Sequence, residues 1–259
     1  MHVCKAINKS DLNCSDSFLF FNGKNSCIPL GEKQTLKIRF LVFLVMMKDY
    51  NKALYHEIFV TEEYAMIKQS LAWAKVIFDI WGHIWYFSLW ALKQNPQLVI
   101  HFFEPFSQLV EQAKANLEAF SDQIVFNRFG LAKQVWDYQF FFNPEKTMQS
   151  SQTSSFLNSK GQLQTVHCEN LNHYLDNHTI DQIDVLKLDI EGMEYEVLSD
   201  LSPENRKKIK NLIAEIHILS DLDLQKWNDL KSQLSTYFSK VDIYPSPYTD
   251  KIFLVYAQS

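Results

Sequence analysis

The stretch from Val76 to Pro105, VIFDIWGHIWYFSLWALKQNPQLVIHFFEP, limits the fold of this chain more than any other. Val76, Ile77, Phe78 and Ile80 make a short apolar run with Asp79 inside it, and from Tyr86 the apolar positions Phe87, Trp90 and Ala91 recur at helical spacing. A second apolar run, Leu98 to Phe103, ends on Glu104-Pro105. Strand, tight turn, helix and strand in this order form a parallel crossover, whose crevice opens at the carboxyl ends of the strands. Asp79 and Glu104 both stand at that crevice.

The chemistry of such a turn is backbone donation. A helix beginning near Tyr86 offers N–H groups and a partial positive charge to an anionic group, and a carboxylate after the second strand can accept two ribose hydroxyls. Glu104 is the candidate for that role. Taken alone it is weak, because Glu-Pro pairs are common on protein surfaces.

A second segment strengthens it. IDVLKLDIEGMEYEVLSDL, Ile183 to Leu201, gives an apolar strand from Val185 to Ile190 carrying Asp189, then Glu191-Gly192, then a helix with Met193, Val197, Leu198 and Leu201 inward. With these residues the chain resembles the FkbM-type methyltransferases, S-adenosylmethionine-dependent enzymes of the Rossmann-like class. Members of that family show D-x-G-A-N-x-G-x-x-S, then F-E-P, then K-x-D-x-E-G-x-E. Here the blocks are Asp79 to Ser88, Phe103-Glu104-Pro105, and Lys187 to Glu194, and Glu215-Ile216-His217 is similar to the family's E-x-H ending. The last block is the most specific, and the resemblance runs from about Tyr64 to Leu201.

The resemblance implies an α/β fold, the Rossmann-like doubly wound sheet of the class I methyltransferases, mostly parallel with an antiparallel last strand. It implies S-adenosylmethionine as cofactor, bound by Asp79, Trp81, Gly82, His83, Trp85, Glu104 and Pro105. Asn127, in the loop after the third strand, is expected beside the adenine ring. The catalytic candidates are Asp189, Glu191 and His217, with His217 the best base by its ordinary pKa, about 6.5. Glu191 can instead cap the following helix, and Asp189 can hold cofactor. With Glu215 these groups also make a reasonable oxygen and nitrogen set for a divalent cation, but no spacing compels it, and no metal ligand is assigned.

Two departures from the family pattern matter. Trp81 and Trp85 stand in place of its two glycines, and His83 in place of its Asn. Glycine suits such a turn because a side chain blocks close approach of backbone to ligand or demands an unfavourable φ. The chain has 6 glycines beside 6 tryptophans, where a chain of this length ordinarily carries roughly 18 glycines. Trp73 and Trp136, the latter in the turn-like stretch Ala132 to Asp137, also stand where the family tends to have glycine. Our hypothesis is that some of these are UGA codons translated as Trp although the source organism reads them as Gly. Divergence to an inactive relative is the competing account, and UGG codons at 73, 81, 85 and 136 would exclude the first.

The remaining sequence frames this core. A chain of 259 residues, 47% hydrophobic and 14% aromatic, can bury a substantial core. Net charge of −5 without a long basic run gives no electrostatic footprint for nucleic acid. Cys4, Cys14, Cys27 and Cys168 lack metal-type spacing and read as free thiols in a reducing, cytoplasmic compartment, with a bridge among the first three left open. The apolar run Phe40 to Met47 is too short to span a membrane. Oligomeric state is not legible.

The domain reading is an N-terminal extension with covering helices over 1–70 and a methyltransferase domain over 71–259. Within it, Ser107 is expected to cap a helix, and residues 132–167 to form an inserted hairpin, Tyr138 to Phe142 against Gln162 to His167, on the acceptor side. Three functions compete. The first is a methyltransferase acting on a hydroxyl of a sugar, glycan or secondary metabolite, the second a methyltransferase-like binding or scaffold protein without turnover. The third, a nicotinamide oxidoreductase, lacks its G-x-G-x-x-G spacing.

Overall fold

The computed structural model describes residues 18–20, 27–29, 49–83, 85–142, 162–247 and 249–259. The chain divides into two compact units, Met1–Leu54 and Tyr55–Ser259. In the first, β1 (Phe18–Phe20) pairs antiparallel with β2 (Cys27–Pro29). The sequence reading gives this segment only as an extension and places no strand in it; Phe-Leu-Phe and Cys-Ile-Pro pair there. Cys4, Cys14, the run Phe40 to Met47 and the hairpin loop 143–161 lie outside the described residues. Among those described, no helix is long and apolar enough to cross a membrane.

The second unit is built on a seven-stranded sheet. Its strands are β3 (Val76–Ile80), β4 (Val99–Phe103), β5 (Ile124–Asn127), β9 (Val185–Leu188), β10 (Asn211–His217), β11 (Lys240–Pro245) and β12 (Ile252–Gln258), in the spatial order β11-β12-β10-β9-β3-β4-β5. The five strands from β10 to β5 are parallel, and β12 runs antiparallel between β10 and β11. Parallel strands covered on both faces read as continuous apolar runs, and every residue of β9, Val-Leu-Lys-Leu, is buried. The chain winds outward from β3 through β4 to β5, then returns to β9 on the other side of β3. That reversal places the crevice at the carboxyl ends of β3 and β9, where Asp79 and Lys187 are register partners.

A second, three-stranded sheet holds β6 (Gly130–Leu131), β7 (Trp136–Phe142) and β8 (Gln162–Glu169). The expected hairpin is present, with Phe142 opposite Gln162. Trp136 begins its first strand, opposite Cys168, rather than sitting in a turn.

The helices are α1 (Asp49–Phe59), α2 (Lys68–Leu71), α3 (Tyr86–Gln94), α4 (Ser107–Asn116), α5 (Leu171–Asn177), α6 (Glu194–Asp200), α7 (Pro203–Lys207) and α8 (Asp221–Tyr237). The segment from Tyr55 onward lies on α3, where Tyr55 and Phe59 meet Tyr86 edge to face and Tyr64 meets Phe87 likewise. Helix α4 departs from expectation at its start: Phe106, not Ser107, is the capping position, and its N–H goes to the Glu104 carboxylate. A buried acceptor two residues upstream makes a serine cap unnecessary.

Candidate active site

The turn after β3 is shaped by backbone that few side chains tolerate. Trp81, His83 and Trp85 all have left-handed φ, at 62°, 49° and 75°, a conformation that costs a non-glycine residue roughly 1 to 2 kcal/mol. The turn closes through Gly82 N–H to the Phe103 carbonyl at 2.9 Å and Trp85 N–H to the Gly82 carbonyl at 2.8 Å. A Cβ on Gly82 would run into the Phe102 ring, so this position admits only glycine. Both indoles are buried. The Trp81 ring packs against Phe106 and Phe140, and its edge reaches Gly130; Trp85 meets Tyr86 edge to face. Neither Trp73 nor Trp136 has positive φ, and both are exposed, so the backbone argument for glycine holds at 81 and 85 and fails at 73 and 136.

Helix α3 starts directly from this turn, with Trp85 at the cap and no side chain capping its first N–H groups. Ser88 in its first turn donates to Asp79 Oδ2 at 2.6 Å. Burial raises the pKa of Asp79, against the lowering pull of Lys187 and Ser88. His83 is held neutral: burial first, then Lys187, bring its imidazole down to about 3.

Glu104, one residue past β4, is fully buried. Its Oε2 accepts the His83 N–H at 3.0 Å and its Oε1 the Phe106 N–H at 2.9 Å, so the carboxylate ties the first turn to the start of α4. Burial outweighs these bonds and pushes its pKa up to about 8. Pro105 beside it is half-buried. Asn127 closes the end of β5 with its side chain turned inward, donating to the Phe102 carbonyl at 3.3 Å and accepting from the Tyr174 hydroxyl at 3.2 Å. Tyr174 also meets His101 Nδ1 at 2.7 Å.

The second half of the crevice is ionic. Lys187, buried in β9, sits 3.7 Å from Asp79 Oδ1 and 3.7 Å from Asp189 Oδ2, and its ammonium donates to the Trp81 carbonyl at 3.1 Å. Burial alone would lower its pKa; Asp189 and Asp79, then Glu215 and Glu104, outweigh that and raise it. One side chain thus links the turn after β3 to the acidic cluster beyond.

That cluster gathers Asp189, Glu191 and His217, whose ligand atoms lie within 4.8 Å of one another. Glu191 and Gly192 both have positive φ, at 54° and 107°, and a Cβ on Gly192 would come within 2.8 Å of Leu219. This second tight turn aims the Glu191 carboxylate to within 3.6 Å of His217 Nε2. Glu194, fully buried, accepts from the N–H groups of Ile190 and Gly192 and from His217 Nδ1 at 3.1 Å. No side chain caps α6, so the capping role that the sequence reading allowed to Glu191 is not seen; Glu194 instead ties down the turn before the helix. Burial lowers the His217 imidazole, but Glu194 and Glu191 carry its pKa well above the ordinary value. Glu191 is pushed up to about 8 by burial, against His217.

The sequence profile of the methyltransferase FkbM domain matches residues 78–229, which includes every group described at both turns. The chain belongs to the FkbM methyltransferase family. Residues 78–229 are its methyltransferase FkbM domain. Among characterised proteins it is similar to the AMB antimetabolite synthetase AmbE of Pseudomonas aeruginosa, 22% identical over 198 residues. That match covers 63% of this chain and 9% of the synthetase, so this chain corresponds to a small part of its relative. Among solved structures it is similar to the methyltransferase FkbM of Methylobacillus flagellatus KT, with 12% identity, a TM-score of 0.48, and coverage of 88% of this chain and 60% of that one. It is also similar to a precorrin-6y C5,15-methyltransferase of Geobacter metallireducens GS-15, with 11% identity, a TM-score of 0.44, and coverage of 78% and 91%.

Within this FkbM domain the two turns are brought together around Lys187, which the sequence reading quoted in its motif without giving it a role. Glu194, in the same motif, was likewise missed as the orienting partner of His217. Both carried a signal, being the first and last charged residues of K-x-D-x-E-G-x-E. Tyr174 carried none, since its contact with Asn127 joins residues 47 positions apart. A groove of about 580 Å³ lies elsewhere, lined by Lys133, Tyr138, Tyr195, Glu196, Lys226 and Asp229 among others, and it shares no residue with the cluster.

Proposed function

We propose that this methyltransferase transfers its methyl group to a hydroxyl of a small-molecule or glycan acceptor, a sugar or a secondary metabolite. The observation that carries the reading is the gathering of Asp189, Glu191 and His217 at the ends of adjacent strands, beside the switch point. Methyl transfer to oxygen is an in-line displacement. The acceptor oxygen forms a bond to the methyl carbon, the carbon–sulfur bond breaks with its electron pair staying on sulfur, and the hydroxyl proton passes to the cluster. Much of the rate comes from holding oxygen, carbon and sulfur in line.

On the cofactor side, the uncapped start of α3 suits the methionine carboxylate. Asp79, Gly82, His83, Glu104, Pro105 and Asn127, with Trp81 and Trp85, are the residues proposed for the rest of the cofactor. Lys187 and His217, the basic groups described at this cluster, make no basic track for nucleic acid. The buried free thiol of Cys168 suits a cytoplasmic setting. A binding protein without turnover is the second reading, and the two buried indoles are what favour it.

The test is calorimetric titration with S-adenosylmethionine and with NAD, followed by a panel of hydroxyl acceptors with methyl-labelled cofactor. Binding of the sulfonium cofactor alone and label on an acceptor oxygen are expected. In that assay Asp189→Asn and His217→Gln should lower kcat more than they raise the KM for cofactor. Label on nitrogen or carbon, or preferential binding of NAD, would overturn the reading.

A further inference from the structure

The carboxyl groups of Asp79, Asp189, Glu191, Glu194 and Glu215 crowd around Lys187 and His217. Asp189 Oδ1 is buried and has no hydrogen-bond partner. The His217 side chain is 5% exposed, and its Nε2 is directed between Glu191 Oε2 at 3.6 Å and Glu215 Oε1 at 3.8 Å, beyond hydrogen-bond length in both directions. Glu194 accepts from Ile190, Gly192 and His217 Nδ1, which fixes the ring plane and turns Nε2 towards the Glu191 and Glu215 carboxyl groups. A carboxylate on one imidazole nitrogen with carboxylate oxygens around the other is the arrangement that holds a histidine as a metal ligand.

Distances agree. Ligands about 2.1 Å from an ion are about 3.0 Å apart at right angles and about 4.2 Å apart when opposite. The His217–Glu191 separation of 3.6 Å falls between these.

We propose that Asp189, Glu191 and His217 bind a divalent cation, of the Mn²⁺ or Mg²⁺ type, that holds the acceptor hydroxyl for methyl transfer. The oxygen-rich set with one imidazole selects a hard cation and tolerates Mn²⁺ well. The cation's role rests on the hydroxyl-transfer reading above; its binding does not. The cation would hold and polarise the hydroxyl oxygen, which forms its bond to the methyl carbon as the carbon–sulfur bond breaks with its electron pair on sulfur, and the hydroxyl proton leaves to solvent.

The full chain is titrated with MnCl₂ while the electron paramagnetic resonance signal of free Mn²⁺ is followed. Saturable loss of signal at one site is expected. Asp189→Asn, Glu191→Gln and His217→Gln should each weaken it at least tenfold, and Glu118→Gln, on the exposed surface, should leave it unchanged. Circular dichroism of each variant separates lost binding from lost fold, and the exposed edge of Glu191 makes its Gln variant the safest of the three. No saturable binding up to millimolar Mn²⁺, or binding that survives all three changes, would overturn the proposal. So would methyl transfer undiminished in EDTA, which would leave the methyltransferase reading standing. Mn²⁺ binding lost in the variants, without label on any hydroxyl acceptor, would support the site and remove the hydroxyl reading instead.

Discussion

The two tight turns at the crevice solve opposite problems with the same backbone device. The turn from Trp81 to Trp85 is filled by its own side chains, with two indoles buried against Phe106, Phe140 and Tyr86, and Glu104 spending both oxygens on neighbouring N–H groups. The turn from Asp189 to Met193 leaves an orphaned carboxylate oxygen and an imidazole nitrogen pointing into a negative cluster. Both place residues at positive φ. The first is closed on itself, and the second is open to a ligand. The turn proposed above for the adenosyl and methionine groups is the one that the written side chains fill.

The strongest challenge to this contrast is the double change Trp81→Gly and Trp85→Gly. Removing a large buried aromatic costs about 3 to 5 kcal/mol, of which about 1 to 2 kcal/mol per residue returns as the left-handed strain is relieved. The thermal midpoint without ligand should therefore fall. Affinity for S-adenosylmethionine, by calorimetry, should rise more than tenfold, since overpacking of about 1 to 3 kcal/mol is removed. Tight binding by the written chain with no gain in the variant would show that the indoles belong to the site, as UGG codons at 81 and 85 would.

Next is Lys187→Met, which cuts the link between the turns. It strips the buried Asp79 of its counter-charge, a loss of about 3 to 5 kcal/mol, readable in urea unfolding. A change under about 1 kcal/mol would mean that the two halves of the crevice are electrostatically independent.

The pH dependence of stability sharpens the closed side. Glu104 is raised from 4.5 to about 8 in the folded chain, so the folded state keeps a proton that the unfolded state releases. Stability from this group is present below pH 4.5 and is lost as pH rises through about 8, by at most about 1.4 kcal/mol per pH unit within the window. Glu104→Gln should flatten that part of a stability–pH curve. An unchanged curve would assign the slope to other groups.

The smallest effects are expected at Trp73→Gly and Trp136→Gly. These side chains are 88% and 69% exposed and need no positive φ, so each should shift stability by less than about 1 kcal/mol. A gain in thermal midpoint comparable to the effects at 81 and 85 would break the distinction drawn between the two pairs.

The strands and helices from Val76 to Leu201 were legible because each carries its own period, continuous for buried parallel strands and three-to-four for helices. The positions of Asp79, Glu104, Asp189 and His217 followed, since a parallel sheet puts the ends of such strands side by side. Less legible were the ends of elements. Ser107 was read as a cap from local preference, but Glu104 already held the Phe106 N–H. Trp136 was read as a turn from its neighbours, but pairing with Cys168 draws it into a strand.

What the sequence determined by itself was the order of strands and helices, the family, and the two turns where chemistry gathers, because these depend on neighbours in the chain. Only the tertiary structure decided that Lys187 binds one turn to the other, that Glu194 rather than Glu191 orients the turn and His217, and that the tryptophans at 81 and 85 are strained while those at 73 and 136 are not. Each of these depends on a pairing across the sheet or on a backbone dihedral. Neither quantity is set by residues adjacent in sequence; both are fixed when distant strands close into register.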